Sequence, residues 1–146
     1  MRNAQAIAFS LLLLAGCQSG GNNAEKLEME VMKVHDEVMP RMDELMDLKS
    51  QISTRISRLD SLAAASPSAS SLDSLKQDGI ATNQALAEAD SLMMTWMNQY
   101  NPDTLKVLDE AGAVSYLSRE KEKIGRVKEK FSSSIERAKK YLQSNP

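Results

Sequence analysis

The chain of 146 residues contains one histidine, one cysteine and few aromatic side chains, which make up 4% of the sequence. Most acid–base and nucleophilic catalysis relies on a histidine or thiol set beside a second polar group. The sequence also lacks a glycine-rich phosphate-binding loop and any strand-and-turn arrangement that would present a serine. We therefore expect no enzymatic activity. A formal net charge of −2, without a long block of like charge, likewise argues against nucleic acid as a partner.

The residues that are abundant favour helix. The chain is 42% hydrophobic and 26% charged, with only 6 glycines and 4 prolines, and it is rich in alanine, leucine, methionine, glutamate and lysine. Its length suits one domain. We expect an all-α protein in which the many carboxylates occupy solvated polar helix faces.

The beginning of the chain, MRNAQAIAFSLLLLAGC, has an apolar run over residues 4–15. This run is too short to cross a bilayer as a helix but has the length of a secretory leader core. The residues Leu14-Ala15-Gly16-Cys17 resemble the lipobox of bacterial lipoprotein precursors. That resemblance implies a signal peptide over residues 1–16, cleavage before Cys17, and acyl chains such as palmitate on Cys17 as a membrane anchor. An uncleaved hydrophobic anchor or a buried first helix is the alternative.

The residues around Cys17 fit this interpretation. A lone thiol in a disulfide-permissive compartment such as the periplasm is a liability unless it is modified. Gln18 takes the place of the aspartate that retains some lipoproteins in the inner membrane, which favours the outer membrane of a Gram-negative cell envelope. Residues 17–24, rich in Gly, Ser and Asn, predict a flexible tether.

Apolar residues recur at steps of three and four through the rest of the chain, which predicts amphipathic helices. We expect a helical bundle over residues 25–146, with helices at about 24–64, 72–99 and 114–142 and a short helical turn at 102–108, and with Gly112 interrupting the chain before the last helix. Pro40 falls on the polar side of the first helix, so one bent helix is preferred over two separate helices. Short connections predict an elongated antiparallel three-helix bundle or coiled-coil-like domain.

Charge is distributed unevenly along this domain. Residues 24–48 hold eight acidic and three basic residues, whereas residues 118–142 hold four acidic and nine basic ones. In an up-down-up bundle the first and last helices run side by side in the same direction. We expect their opposite charges to attract one another inside the molecule.

Methionines gather around the single histidine. A hairpin near Pro67 would place residue i opposite roughly residue 134 − i, which brings together His35, Met39, Met42, Met93, Met94, Met97 and Trp96. Methionine commonly fills gaps in a core that is poor in aromatics, with the histidine at the edge bonded to Asp90 or water, and this packing interpretation is preferred. The alternatives are a periplasmic Cu(I) or Ag(I) site of thioether and imidazole ligands, or haem held by His35 and one methionine.

Three segments extend the lipoprotein resemblance into the domain: HDEVMPRM, WMNQY and YLSREKEKIGRVKEKFSSSIERAKKYL. Together with the lipobox they are similar to a group of small helical envelope lipoproteins of the Bacteroidota type, some of which carry the label "viral A-type inclusion protein". The resemblance implies no activity. It leads us to expect a lipid-anchored protein with a structural or protein-interaction role, through an envelope protein partner or self-association.

Overall fold

The computed structural model describes residues 23–65 and 70–144. Over these ranges every regular element is a helix, and three helical arms pack together, which confirms the all-α prediction. The elements are α1 (Asn23–Val38), a 3-10 turn (Met39–Arg41), α2 (Met42–Ala65), α3 (Ser70–Gln99), a second 3-10 turn (Pro102–Lys106) and α4 (Glu110–Ser144). The predicted signal peptide lies outside the described residues, as does most of the predicted tether. The last two tether residues, Asn23 and Ala24, are already part of α1.

Pro40 divides the first arm without ending it. Val38 and Met42, on either side of the 3-10 turn, both have right-handed helical backbone angles, and the Met42 amide donates to the Met39 carbonyl. Pro40 is exposed, as the sequence predicted. A proline inside a helix removes a hydrogen bond and clashes with the preceding turn, and here one tighter turn accommodates it. The first arm is therefore two α-helices joined end to end by a helical turn.

Adjacent arms run antiparallel. α2 and α3 are linked by ion pairs between Lys49 and Asp90 and between Asp60 and Lys76, so residue numbers fall on one helix as they rise on the other. α3 and α4 are related in the same way. Tyr141 donates to the Leu75 carbonyl at 3.1 Å at one end, and Trp96 donates to Glu120 at 3.1 Å near the other.

α1 and α4 run parallel, and acidic residues of the first meet basic residues of the second. Lys121 contacts Glu30 at 2.7 Å, and Lys128 contacts Glu37. Both pairs span 91 residues of sequence, so the two helices keep one register. The hydrogen bond from Lys121 is the main cause that lowers the pKa of Glu30, and Lys128 has the same effect on Glu37. The predicted attraction between the acidic and basic segments is thus confirmed for these pairs. Exposed ion pairs contribute little stability. Their main effect here is to fix the register of α1 against α4.

The core is a stripe along each arm. On α4 a stripe with a repeat of seven residues is fully buried, at Leu117, Ile124, Phe131 and Ala138. Ile124, Phe131 and Ala138 belong to one core cluster that also includes Val31, Leu45, Ile52, Leu86 and Met93. A long, narrow core of this kind derives its hydrophobic stabilisation from its length.

Two predicted boundaries of α4 and its neighbouring turn are wrong. The helix begins at Glu110 and includes Gly112, because the Asp109 carboxylate accepts the Gly112 amide at 2.8 Å and caps the first turn. A capping side chain satisfies an amide that has no partner within the helix. The preceding 3-10 turn ends at Lys106, earlier than predicted. α3 also begins two residues early, at Ser70.

The face of α3 that meets α4 is tight at one end. Gly79 is buried, and a Cβ at this position would lie 2.5 Å from the Tyr141 hydroxyl oxygen. The neighbouring Thr82 is fully buried and donates to the Asp78 carbonyl one turn earlier at 2.7 Å. Gly79 thus marks a close contact between α3 and α4.

Candidate functional site

Two features predicted as sites have different outcomes. Cys17 lies outside the described residues, so its lipidation stays a prediction. The predicted cluster of methionines with His35 and Trp96 lies within them, between the first arm and α3. The ring centroids of His35 and Trp96 are 5.9 Å apart and tilted by 39°, which confirms that these two residues meet as the hairpin register predicted.

The methionines are placed less uniformly around this contact. Met93 is fully buried, whereas Met39, Met42 and Met97 are half-buried and pack against the same core. The prediction that Met94 joins His35, Trp96 and the other methionines is wrong, because the Met94 side chain is 46% exposed. At 3.6 residues per turn, position 94 points nearly opposite to position 96.

His35 also differs from expectation in its polar partner. Its Nδ1 lies 2.9 Å from the Asp36 carboxylate, next to it in sequence. Asp90, the predicted partner, is 3.6 Å from the Lys49 ammonium. Within residues 23–65 and 70–144, no three His, Cys, Asp or Glu side chains are grouped as metal ligands.

Glu120 is the polar residue that the sequence analysis missed. It is 3% exposed, so the expectation that carboxylates occupy solvated faces is wrong at this position. Its Oε2 accepts the Trp96 indole N–H at 3.1 Å, and its Oε1 lies 2.7 Å from the Lys123 ammonium. A signal was present in the sequence: Glu120 follows Leu117 by three residues and precedes Ile124 by four, which places it on the buried stripe.

Trp96 also begins a row of stacked rings. Its ring centroid lies 5.1 Å from that of Tyr100, and Tyr100 lies 6.3 Å from Tyr116. The Tyr116 hydroxyl accepts the Asn101 amide and donates to the Asn101 carbonyl. The pKa of Tyr100 is raised to about 12, mainly because the hydroxyl is removed from solvent and secondly because of the negative charge of Glu28. Tyr100 therefore stays neutral near pH 7, and the row ties the second 3-10 turn to α3 and α4.

A groove of about 380 Å³ runs between α3 and α4 beside Trp96. Its apolar floor is formed by Leu92, Trp96 and Val127. Its charged lining consists of three basic side chains of α4, which are Lys123, Arg126 and Lys130, and one acidic side chain of α3, Glu88. Concave apolar surfaces with a few polar groups at the edge are typical of ligand sites, and this groove and Glu120 behind it form the candidate site.

No family model matches the chain, and neither the curated proteins nor the solved structures include a match. The resemblance to small Bacteroidota-type lipoproteins consequently stays a prediction. In the part of the chain that the structure describes, no helix has the length and apolar character needed to cross a membrane.

Proposed function

We propose that this chain is a lipid-anchored, non-enzymatic helical protein of the bacterial cell envelope that acts through contacts with another protein or with a second copy of itself. The observation that carries the proposal is the motif Leu14-Ala15-Gly16-Cys17 at the end of the apolar run 4–15. Several acyl chains, each contributing about 0.8 kcal/mol per buried methylene, anchor a protein where a single chain is marginal.

The start of the helical domain supports this arrangement. Asn23 begins α1 six residues after Cys17, and a chain extends at most about 3.5 Å per residue. The lipid would therefore hold the beginning of α1 within roughly 21 Å of the membrane surface. The Ala24 amide donates to Glu110 at 3.2 Å, so the beginning of α4 lies at the same end of the bundle. The helical arms would extend away from the membrane and present their faces to a partner.

The decisive experiment replaces the lipidated residue. The Cys17→Ser variant should lose palmitate labelling and should leave the membrane fraction or accumulate as an uncleaved precursor. A Gln18→Asp variant is the matched control, because it alters the adjacent residue, keeps the thiol and should remain labelled. If the Cys17→Ser protein is still labelled with palmitate and still partitions with membranes, the proposal is wrong.

The outer-membrane placement has its own test. Separation of inner and outer membranes on a density gradient should find the native protein in the outer-membrane fraction. In bacteria that read the residue after the lipidated cysteine as a retention signal, the Gln18→Asp protein should shift to the inner membrane. Equal distribution of both proteins would contradict the placement.

Cu(I) or Ag(I) binding at the methionine cluster is a second candidate function. The contact between His35 and Trp96 at 5.9 Å favours it, because imidazole, thioether and an aromatic face suit a soft cation. Cu(I) added under reducing conditions should bind and change Trp96 emission, and Met42→Leu should weaken binding while the exposed Met94→Leu should not. Absence of bound copper, with unchanged Trp96 emission, would eliminate this candidate.

A further inference from the structure

The basic residues on two sides of α4 have different surroundings. On the side that packs on α1, Lys121 and Lys128 are paired with Glu30 and Glu37. On the side that borders α3, Lys123, Arg126 and Lys130 line the groove beside Trp96, and Arg137 is paired with Asp78 further along. Internal ion pairs therefore take up only part of the basic charge of α4, and three of the other cations line the groove.

The two outer cations of the groove have weak partners. Arg126 is 67% exposed and lies 4.0 Å from Glu122, and Lys130 is 60% exposed and lies 3.8 Å from Glu88. These distances are at the limit of an ion pair and too long for a hydrogen bond. Arg126 and Lys130 can therefore turn towards an anion without losing a strong internal contact.

The floor of the groove requires that the ligand also has an apolar part. The half-buried Leu92 and the exposed edges of Trp96 (5% exposed) and Val127 (6% exposed) offer a narrow apolar strip, which an inorganic anion would not use. A neutral hydrocarbon would leave Arg126 and Lys130 with only their distant partners Glu122 and Glu88. A ligand that fits both the apolar floor and the two cations has an apolar chain with one anionic group at its end.

We propose that this groove binds a single-chain anionic amphiphile, with its hydrocarbon chain on Leu92, Trp96 and Val127 and its carboxylate or phosphate group between Arg126 and Lys130. Glu120 is a positioning residue in this site. Its hydrogen bond holds the indole of Trp96 in one orientation, and it neutralises Lys123, so the anion is directed to the two outer cations. The site does not depend on the lipid at Cys17.

Trp96 reports on occupancy directly, because it is the only tryptophan of the chain and forms part of the floor. The full chain, in the presence of a fixed amount of phosphatidylcholine vesicles that accept a lipid anchor, is titrated with dodecyl phosphate below its critical micelle concentration. We expect a saturable change in Trp96 emission. Dodecyl maltoside, which has the same chain and no charge, should bind at least about tenfold more weakly, since charge-assisted contacts to Arg126 and Lys130 are lost. Inorganic phosphate alone should give no saturable change.

Matched variants separate the groove from the general charge of the protein. Arg126→Gln/Lys130→Gln should weaken dodecyl phosphate binding by about tenfold or more. Lys26→Gln/Lys33→Gln removes the same charge from exposed positions on α1 and should leave the affinity within about twofold. Circular dichroism checks that both proteins keep their helices.

A third variant tests the floor and the edge without touching the core. Thr95 lines the groove and is exposed, so Thr95→Glu should fold normally and repel the anionic group. Three results would each overturn the proposal. They are equal affinity for dodecyl maltoside and dodecyl phosphate, equal weakening by the groove and α1 charge variants, and a response to inorganic phosphate equal to that to dodecyl phosphate. Tighter saturation of the site by an acidic amphipathic peptide would overturn it in favour of a protein partner.

Discussion

Replacing Glu120 with alanine tests the polar contact that the buried stripe of α4 makes with Trp96. The substitution removes the acceptor of the indole N–H in a place where Glu120 is 3% and Trp96 is 5% exposed. A buried donor without a partner costs about 1–3 kcal/mol, and each lost buried methylene adds about 0.8 kcal/mol. The ion pair with Lys123 adds little, since that ammonium is half exposed.

The sum is reduced by two opposing effects. The groove beside Trp96 lets water approach the freed N–H, and the carboxylate no longer has to be desolvated. We expect Glu120→Ala to lower the free energy of unfolding by about 2–3 kcal/mol. For a domain of this size the midpoint of thermal unfolding, Tm, should fall by roughly 6–15 °C.

Urea unfolding followed by circular dichroism measures the change, and Trp96 emission should shift to the red before unfolding begins. Glu120→Gln keeps an oxygen acceptor and should cost less than about 1 kcal/mol. Glu129→Ala makes the same deletion at an exposed position of α4 and should change stability by less than about 0.5 kcal/mol. If Glu120→Ala is as harmless as Glu129→Ala, the hydrogen bond to Trp96 contributes nothing and the reasoning is refuted.

Two further predictions concern helix contacts and acid stability. Gly125→Ala should stabilise the protein by about 0.5–1 kcal/mol in urea unfolding, because a Cβ there meets nothing within 4 Å. Gly79→Ala should instead destabilise it by about 1–3 kcal/mol, since its Cβ would lie 2.5 Å from the Tyr141 hydroxyl, and equal stabilisation by both would contradict the close contact. Hydrogen bonds from lysines of α4 are the main cause that lowers the pKa values of Glu30, Glu37 and Glu44 from 4.5. Because the folded pKa values are lower, this stability is complete above about pH 4.5 and is lost as the pH falls through the folded values. The urea midpoint should therefore drop less between pH 7 and pH 3.5 in a triple Glu→Gln variant than in the native protein, and an equal drop would contradict the assignment.

Periodicity made the helical arms and much of the core predictable. The repeat from Leu117 to Ala138 identifies the buried face of α4 because side chains at a spacing of 3.5 to 3.6 residues share one side of a helix. The meeting of His35 with Trp96 was predictable too, since short connections fix the register of an antiparallel pair. The start of α4 was not, because it depends on a capping contact between Asp109 and Gly112.

The candidate site was beyond such arguments for a physical reason. The sequence by itself determined which residues can share a helix face, because that depends only on the geometry of one helix. The tertiary structure decided which faces meet, and therefore that Glu120 is buried against Trp96 and that Arg126 and Lys130 line a groove. Burial, hydrogen bonding and unbalanced charge depend on atoms from two helices at once. The predicted lipobox at Cys17 is the opposite case, since that resemblance rests on a short linear motif and on no tertiary contact.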